Sequence, residues 1–499
     1  MRALSKSKLL AYRQCPKRLW LEIHHPEWHA DSAATQASFN VEHQVGEIAI
    51  QVYDPWGKGG ILNPKAEGFD VAFTRTRVLL KLSYPIFEAG FCAEGAMAFA
   101  DVMLPMEKSG KRAWRMVEVK SSTSVKDYHR DDVAVQAFIV RSAGVPLVAV
   151  ALAHIDSEWI YPGNGDYRGL LKENDLTEES FSKNETVQHW IKKAQSIVTK
   201  PNAPAISTGK HCTSPYECGF LAHCQSQKPE VEHPIHWLPG RFSKALLEYI
   251  DIHNLSELQD LPDELLNVRQ QRVKKVTVTG QPYFDQSNAA RSLAVYKLPA
   301  YFLDFETIQF AVPIWKGTRP YQQVPFQFSL HRLSRMGNLK RRAFLDISGA
   351  DPSEAFAEAL IVACGKRGAI FVYNASFETA RIRELSERFP HLAKPLLALN
   401  KRIVDLLPVA RDHYYHPSQQ GSWSLKALLP ALCPDLSYDD LDGVQDGSMA
   451  MDAFLEALAP LTNKTQKTKI KKQLLAYCAL DTLALVSIWS AFTGRKLKY

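Results

Sequence analysis

The stretch Ala300–Thr307, AYFLDFET, constrains the fold of this chain more than any other. Aromatic and apolar residues surround two acids, Asp304 and Glu306, as is typical of a buried β-strand. Side chains alternate along a strand, so both carboxylates point to the same face. Two ionised acids in an apolar strand are costly unless a cation neutralises them. The stretch indicates either a site for Mg²⁺ or Mn²⁺, which prefer carboxylate ligands, or a strand edge with two solvated acids.

Further acids follow where strands meet helices. Glu378 lies near the start of a predicted helix, four residues after Asn374 in the apolar run AIFVYN. Tyr477 and Asp481 are four residues apart in the predicted last helix and share one face. Polar groups on an otherwise apolar helix face need partners, which favours the cation site. Asp405, in the segment IVDLLP, is an additional candidate ligand.

These motifs together resemble the DEDDy exonucleases of the RNase H-like superfamily. The resemblance covers residues 297–499 and implies an RNase H-like (DnaQ-like) domain that cleaves phosphodiesters at a free end with two metal ions, usually 3′→5′. It implies catalytic roles for Asp304, Glu306, Glu378, Tyr477 and Asp481. The metal ions would be held by Asp304, Glu306 and Asp481, and Tyr477 would position the attacking water. The family usually has Asp where this chain has Glu378, which is one methylene longer.

A second group of acids lies in the N-terminal half. Asp101 ends an apolar run, and Glu118 and Lys120 alternate with apolar residues, so these two share one strand face. One interpretation is an exposed cross-strand ion pair, which contributes little to stability. The other is a metal held by Asp101 and Glu118, with Lys120 orienting water and stabilising developing charge. Gln136 lies on the helix predicted next.

These four residues resemble the core of PD-(D/E)XK nucleases, in the RecB-like branch that includes the CRISPR-associated RecB-like nucleases. The resemblance covers residues 1–230. It implies a restriction-endonuclease-like fold and metal-dependent cleavage of nucleic acid, with Gln136 among the catalytic residues. The branch usually has a tyrosine at the position of Val140. It also has a histidine at the position of Gly46, where His43 is a nearby substitute.

Four of the eight cysteines form a pattern. Cys212, Cys218 and Cys224 are evenly spaced, and Cys15 lies far upstream. Structural zinc sites favour shorter spacings, and four thiolates in this pattern suit a cubane cluster better; zinc and unligated cysteines are the alternatives. RecB-like nucleases with an iron–sulfur staple have this layout, so the resemblance implies a 4Fe–4S cluster on these cysteines. The remaining cysteines, including Cys478, are expected to be small core residues.

Composition adds broad limits. The chain has 499 residues, enough for two or three domains, and is 46% hydrophobic and 23% charged, as is ordinary for a globular protein. A net charge of +7 suits a polyanionic partner without establishing one. We find no apolar run of membrane-spanning length and no signal-peptide core near the N-terminus. We therefore expect a cytoplasmic protein without membrane contact.

The sequence thus predicts an α/β protein with three regions. These are a PD-(D/E)XK domain over 1–230, a linker and small helical region over 231–296, and an RNase H-like domain over 297–499. The whole arrangement resembles a bacterial family that fuses a RecB-like nuclease of the iron–sulfur type to a DEDDy exonuclease. The resemblance implies a nuclease with two separate sites, a DNA exonuclease above all, in DNA repair or defence. The alternative is a nucleic-acid-binding protein in which one or both nuclease folds are inactive.

One further feature lies in the linker region. A basic run there, of Arg269, Arg272, Lys274 and Lys275, is either a solvated face or a phosphate contact.

Overall fold

The computed structural model describes residues 3–227 and 230–495. The protein is mixed α/β, which confirms the class expected from the sequence. The chain divides into two compact units. Unit 1 consists of Met1–Pro229 and Phe310–Tyr321, and unit 2 consists of Glu230–Gln309 and Gln322–Tyr499. The helical region predicted over 231–296 belongs to unit 2.

Unit 1 is built on one mixed sheet flanked by helices. Its strands are β1 Leu4–Ser5, β2 Gly60–Ile61, β3 Ile86–Ala93, β4 Ala96–Lys108, β5 Lys111–Lys120, β6 Leu147–Ile155 and β7 Leu171–Asp175. Its helices are α1 Lys6–Gln14, α2 Pro16–His24, α3 Ala33–Tyr53, α4 Pro64–Glu67, α5 Phe69–Leu79, α6 Asp127–Ser142, α7 Thr177–Ser182, α8 Asn184–Val198 and α9 Leu221–Ser226. The strand order is β2-β3-β4-β5-β6-β7, and β1 pairs with β4.

The order of the sheet in unit 1 brings distant parts of the chain together. β3, β4 and β5 form an antiparallel meander, and β6 returns parallel to β5 after the crossover through α6. The N-terminal strand β1 adds in parallel to the start of β4, with Leu4 opposite Ala96. Since α1 follows β1 directly, this pairing fixes the first helix beside β4. The Ser5 hydroxyl caps α1 by accepting a hydrogen bond from the amide of Lys8.

The segment Phe310–Tyr321 packs on unit 1 although it follows a strand of unit 2. Its Ala311 and Val312 are buried in a cluster with α3 and β6, which contribute Ile48 and Ile155 among others. The Tyr321 hydroxyl donates a hydrogen bond to the carbonyl of Ser121, at 2.5 Å. The core of unit 1 is therefore completed by residues far from it in sequence.

Unit 2 contains a five-stranded sheet, a two-stranded sheet and ten α-helices among its described residues. Its strands are β8 Tyr283–Phe284, β9 Ala300–Ile308, β10 Val324–Leu333, β11 Leu339–Leu345, β12 Ile370–Val372, β13 Ile403–Asp405 and β14 Tyr414–Tyr415. Its helices are α10 Lys244–His253, α11 Val268–Thr279, α12 Gln286–Leu293, α13 Ser353–Cys364, α14 Ser376–Arg388, α15 Ala393–Asn400, α16 Leu407–His413, α17 Leu425–Leu432, α18 Gly447–Leu458 and α19 Lys464–Thr493.

The larger sheet of unit 2 has the order β11-β10-β9-β12-β13. β10 pairs antiparallel with both β11 and β9, whereas β9, β12 and β13 are parallel to one another. Apolar clusters cover both faces of the sheet, one of them containing Phe302 and Trp489 and the other Leu303 and Phe356. The central strand β9 is therefore buried on both sides, as its apolar sequence predicts.

The helical region before β9 is part of the core of unit 2. Ile235 and Leu246 belong to the same buried cluster as Trp489 of α19. Most of its basic run is engaged within the chain. Lys274 pairs with Asp263, Arg269 pairs with Asp412, and Arg272 donates to the carbonyls of Arg411 and Asp412. These contacts leave Lys275 as the member of the run that is exposed and without such a partner among the described residues.

The last helix, α19, begins with a capping box in which Asn463 and Gln466 exchange side-chain hydrogen bonds. By length and composition alone this helix could cross a membrane, contrary to our expectation from the sequence. Its apolar window is, however, 67% buried within the protein. Gln327 of β10 donates to the carbonyl of Leu474, and Ser329 bonds Thr482. α19 thus has the burial and polar contacts of a core helix.

Candidate active sites

In unit 2, β9 and α19 bring together a group of potential metal ligands. One oxygen each of Asp304 and Glu306 and the sulfur of Cys478 all lie within 4.8 Å of one another. The Cys478 thiol is 3.8 Å from the carbonyl and 3.9 Å from the carboxylate of Asp304. Cys478 is fully buried, as expected for a core residue, but its thiol lies against an acid of the candidate site. The same expectation is wrong for Cys92, which is exposed.

Asp481 and Tyr477 lie on the face of α19 that carries Cys478. Asp481 is buried, and one of its oxygens accepts a 2.6 Å hydrogen bond from the Tyr438 hydroxyl, while the other has no partner. Burial raises the pKa of the Tyr477 hydroxyl, and the charge of Asp481 raises it further. The phenol therefore stays protonated at neutral pH and can donate a hydrogen bond.

Glu378 lies near the start of α14, as the sequence predicts, but it does not join the group around Cys478 among the described residues. It is buried, and its Oε2 has no hydrogen-bond partner.

Asp405, which the sequence suggested as an additional metal ligand, has a structural role instead. Its two oxygens accept hydrogen bonds from the amides of Asn374, Ala375 and Leu407, at 2.9–3.0 Å. Asp405 thereby holds the turn that places Glu378.

The acids of unit 2 carry more negative charge than their surroundings compensate. Burial raises the pKa of Glu378 to about 8 and that of Asp481 to about 6. Burial and the charge of Asp481 raise the pKa of both Asp304 and Glu306 well above the ordinary range. Lys426 acts in the opposite direction on Glu306 and Asp481. A divalent cation would relieve this repulsion, since it neutralises carboxylates without a proton.

These raised pKa values predict how stability depends on pH. Between about pH 4 and pH 8 the folded protein without metal holds protons on these acids that the unfolded chain has lost, so its stability falls as pH rises. Mn²⁺ should raise the midpoint of thermal unfolding of unit 2 more at pH 8 than at pH 5. Scanning calorimetry at both pH values, with EDTA and with Mn²⁺, measures the difference.

A single substitution isolates the contribution of Glu378 to this effect. At pH 8 in EDTA, Glu378→Gln should raise the midpoint by roughly 2–6 °C, since 1 kcal/mol corresponds to about 2–4 °C in a domain of this size. At pH 5 it should change little, because Glu378 is then already protonated. Glu387→Gln, an exposed position on the same helix, is the matched control. Equal shifts at both pH values would contradict the explanation.

In unit 1 the acids and the lysine predicted from the sequence also lie together. The Lys120 ammonium is 2.6 Å from Glu118, and Gln136 donates to the other oxygen of Glu118 at 2.5 Å. Asp101 accepts a 2.7 Å hydrogen bond from the amide of Val119. Glu118 and Gln136 are almost completely buried. The strand pair β4–β5 and helix α6 thus converge on one small polar site.

Three residues of this site were not predicted. Lys6, at the start of α1, is 2.8 Å from Glu118 and 3.3 Å from Asp132. Asp132 on α6 is buried and 2.7 Å from Lys120. Glu88 lies on β3 opposite Asp101, since its neighbours Phe87 and Ala89 pair with Val102 and Ala100. If all are ionised, four acids face two lysines, which leaves two negative charges.

The electrostatics of this site keep the lysines charged. Burial opposes the charge of Lys120, but Asp132 and Glu118 outweigh it and raise the pKa of Lys120 well above its usual value. Burial and the neighbouring Glu118 raise the pKa of Asp101. Lys120 therefore acts as a fixed positive charge at neutral pH rather than as a base.

The residues that depart from the PD-(D/E)XK pattern lie outside this cluster. Val140 is fully buried in the apolar core of unit 1. His43 is 82% exposed at its side chain and lies 3.7 Å from Glu47. It also lies close enough to Glu88 to offset part of the rise in pKa that burial and Glu118 cause there. Gly46, on the same helix α3, has open space where a side chain would begin. None of them supplies a ligand to the cluster of Asp101 and Glu118.

The four cysteines of the predicted cluster line one pocket, with Cys15 between α1 and α2 and the others near α9. Gln14 donates to the carbonyls of His211 and Tyr216, at 2.7 Å each, and so ties the two ends of unit 1 together. Among the described residues, no three cysteine sulfurs all lie within 4.8 Å of one another. Tetrahedral zinc would need closer sulfurs, since Zn–S bonds are about 2.3 Å long.

Residues 301–424 match the family model of a domain of unknown function, DUF2779. The matched region includes Asp304, Glu306 and Glu378 but ends before Tyr477 and Asp481. No curated protein sequence matches the chain. The match therefore marks part of the carboxylate site of unit 2 without giving it an activity.

Proposed function

We propose that the protein is a metal-dependent nuclease with two separate sites, a DNA exonuclease above all. The observation that carries this proposal is the placement of three acids with raised pKa values on β9 and α19, the half-buried Asp304 and the buried Glu306 and Asp481. Acids with too little positive charge around them can bind divalent cations, and the bound cations can in turn bind a phosphodiester. The cellular role in DNA repair or defence and the cytoplasmic location belong to the same proposal.

In unit 2 we propose an RNase H-like domain of the DEDDy type. The strand order β11-β10-β9-β12-β13, with antiparallel and then parallel strands, supports this fold. Asp304, Glu306 and Asp481 would hold Mg²⁺ or Mn²⁺, which would supply Lewis-acid stabilisation and a reactive water. The protonated Tyr477 hydroxyl can orient that water by a hydrogen bond. Glu378 would complete the set through its unpartnered oxygen.

In unit 1 we propose a PD-(D/E)XK nuclease site. The two uncompensated negative charges of its acids match one divalent cation, which Asp101 and Glu118 would hold. Gln136 orients Glu118 through its hydrogen bond. Lys120, which stays charged, would stabilise the negative charge that develops on the phosphate. DNA is the favoured substrate, on the resemblance described above.

The experiment is an assay on DNA labelled at one end. Single-stranded and duplex substrates are incubated with the protein and Mg²⁺, Mn²⁺ or EDTA. The proposal expects metal-dependent release of nucleotides from an end by unit 2. Binding without cleavage, in every metal, would favour the alternative of an inactive nucleic-acid-binding protein. The observation in favour of that alternative is that Glu378 does not join the ligand group of Asp304.

We also propose that Cys15, Cys212, Cys218 and Cys224 bind a 4Fe–4S cluster. The four cysteines line one pocket, and among the described residues no three of their sulfurs lie within 4.8 Å of one another. Both observations support a cubane cluster rather than a zinc ion. Anaerobically purified protein should be brown and contain about four irons per chain. Cys218→Ala should lose the iron and destabilise unit 1 by roughly 3–5 kcal/mol, as expected for loss of a cross-link that closes a long loop.

Iron analysis, visible absorption and calorimetry measure these effects. Cys92→Ala is the matched control, because Cys92 is an exposed cysteine of the same unit outside the pocket. It should keep both colour and stability. Stoichiometric zinc without iron in anaerobic preparations would overturn the cluster.

A further inference from the structure

A second polar feature of unit 2 lies at the opposite edge of its sheet from the acids. It is an open cleft of about 500 Å³, which we call the basic cleft. It is lined by the residues that immediately precede β9, β12 and β13 and by the turn between β10 and β11. Since these three strands are parallel, the basic cleft lies at their N-terminal ends, whereas Glu306 and Glu378 lie towards their C-terminal ends.

The basic cleft carries a concentrated positive charge. Its basic lining residues are Lys297, Arg335, Arg367, Lys401 and Arg402. Within the described part of the chain, no acid lines the cleft and none of these five side chains forms an ion pair. The run at Arg269–Lys275 is different, since acids and carbonyls of the chain itself engage most of it. The positive charge of the basic cleft is thus available to an external anion.

Two of the three guanidinium groups are held in place without losing their charge. Arg402 donates to the carbonyls of Cys364, Gly365 and Gly368, at 2.6–2.9 Å. Arg335 donates through Nε to the carbonyl of Leu298, at 3.1 Å. Carbonyl oxygens carry only partial charges, so both arginines remain net cations. The exposed Lys297, Arg367 and Lys401 add further positive charges around them.

An exposed aromatic ring adjoins these cations. Tyr296 is 36% exposed, and Val295 beside it is 69% exposed. The Tyr296 ring packs edge-on against the buried Phe371 with 5.6 Å between ring centres. This contact holds the ring while one part of it faces solvent. Cations that track a backbone and an aromatic ring on which a base can stack are the two parts of a single-strand binding surface.

We propose that the basic cleft binds single-stranded nucleic acid, with its cations on the phosphates and a base stacked on Tyr296. The substrate class rests on the proposed function of unit 2, but the cleft uses none of the acids of that site. A strand rises about 3.3 Å per residue, so Pro299 and Glu306 are roughly 20–25 Å apart along β9. The basic cleft therefore holds nucleotides several positions away from the bond that is cleaved.

The test measures binding without cleavage. A fluorescent single strand of about 20 nucleotides is titrated with the full chain in EDTA at several salt concentrations. The triple variant Lys297→Glu, Arg367→Glu, Lys401→Glu should bind at least tenfold more weakly. It should also show a shallower dependence of log K on log salt, by about 2, because each phosphate contact to a single strand contributes about 0.7. Tyr296→Ala should weaken binding roughly tenfold and leave the salt dependence unchanged.

The matched control reverses three exposed lysines of unit 2 that do not line the cleft, in the variant Lys340→Glu, Lys394→Glu, Lys464→Glu. It should bind within about threefold of the unaltered protein. Equal binding by the two triple variants would overturn the proposal, and so would a loss confined to duplex DNA. If the unaltered protein cleaves nothing but the cleft variant loses binding, the proposed nuclease function is wrong and the proposed binding role of the cleft holds. If the protein cleaves DNA through its acids but the cleft variant binds normally, the nuclease function holds and the binding role of the cleft is wrong.

Discussion

Asp304→Ala is expected to abolish the release of nucleotides from a labelled DNA end. Asp304 lies at the centre of the acids on β9 and α19 and, under the proposed function, would be one of the residues that hold the metal ions. A two-metal site stabilises the attacking and leaving oxygens together, so losing a metal ligand disables both. A loss of about a thousandfold or more is expected, since one lost transition-state stabiliser already costs about that much. The measurement is the rate of nucleotide release in Mg²⁺ and Mn²⁺.

The same variant should still bind DNA, because phosphate contacts elsewhere supply most of the affinity. Asp452→Ala, an exposed aspartate on α18 of the same unit, is the control for a lost carboxylate. It should retain full activity. A normal cleavage rate in the Asp304 variant would show that the acids of unit 2 do not catalyse the reaction.

Lys120→Ala is expected to remove a second cleavage pattern and to leave end-directed release intact. The two sets of acids lie in separate units, so we expect each set to bind its own metal ions. Without Lys120, Glu118 and Asp132 keep only Lys6 as a basic partner within 4.0 Å among the described residues. Loss of this fixed charge should slow the reaction in unit 1 by about a hundred- to a thousandfold. Mapping of products on single-stranded and duplex DNA measures the two patterns separately.

Lys111→Ala is the matched control, since Lys111 is exposed at the other end of the same strand β5. The double variant of Lys120 and Asp304 should cleave nothing. If each single variant abolished all cleavage, the two sites would be coupled and their independence would be wrong. If no variant changed the rate, the measured activity would come from a contaminant, and the binding-protein alternative would take its place.

The parts of the sites that depend on local periodicity could be predicted from the sequence. Alternation along β9 places Asp304 and Glu306 on one face, and a spacing of four residues places Tyr477 and Asp481 together on α19. The same helical spacing could have identified two residues that were missed. Cys478 is three residues from Asp481, and Asp132 is four residues from Gln136. The helical spacing was thus a usable signal for both, but a cysteine is typical of an apolar core and an aspartate of an exposed surface.

Other parts of the sites depend on contacts between distant segments, for which the sequence carries no local signal. Lys6 reaches Glu118 across 112 residues because β1 pairs with β4. Tyr438 reaches Asp481 from an irregular segment between α17 and α18, which no periodicity describes. The role of Asp405 is a similar case, because only the fold shows that backbone amides occupy its oxygens. Tertiary packing decides such contacts.

The twelve residues Phe310–Tyr321 limit how this chain can be divided. They follow β9 directly yet complete the core of unit 1, so the polypeptide passes from unit 2 to unit 1 and back. A gene fragment that ends at residue 229 would encode unit 1 without Ala311 and Val312 and would expose their apolar neighbours to water. The DUF2779 match over 301–424 likewise contains residues of both units. Recombination therefore cannot exchange either unit as one continuous piece of the gene.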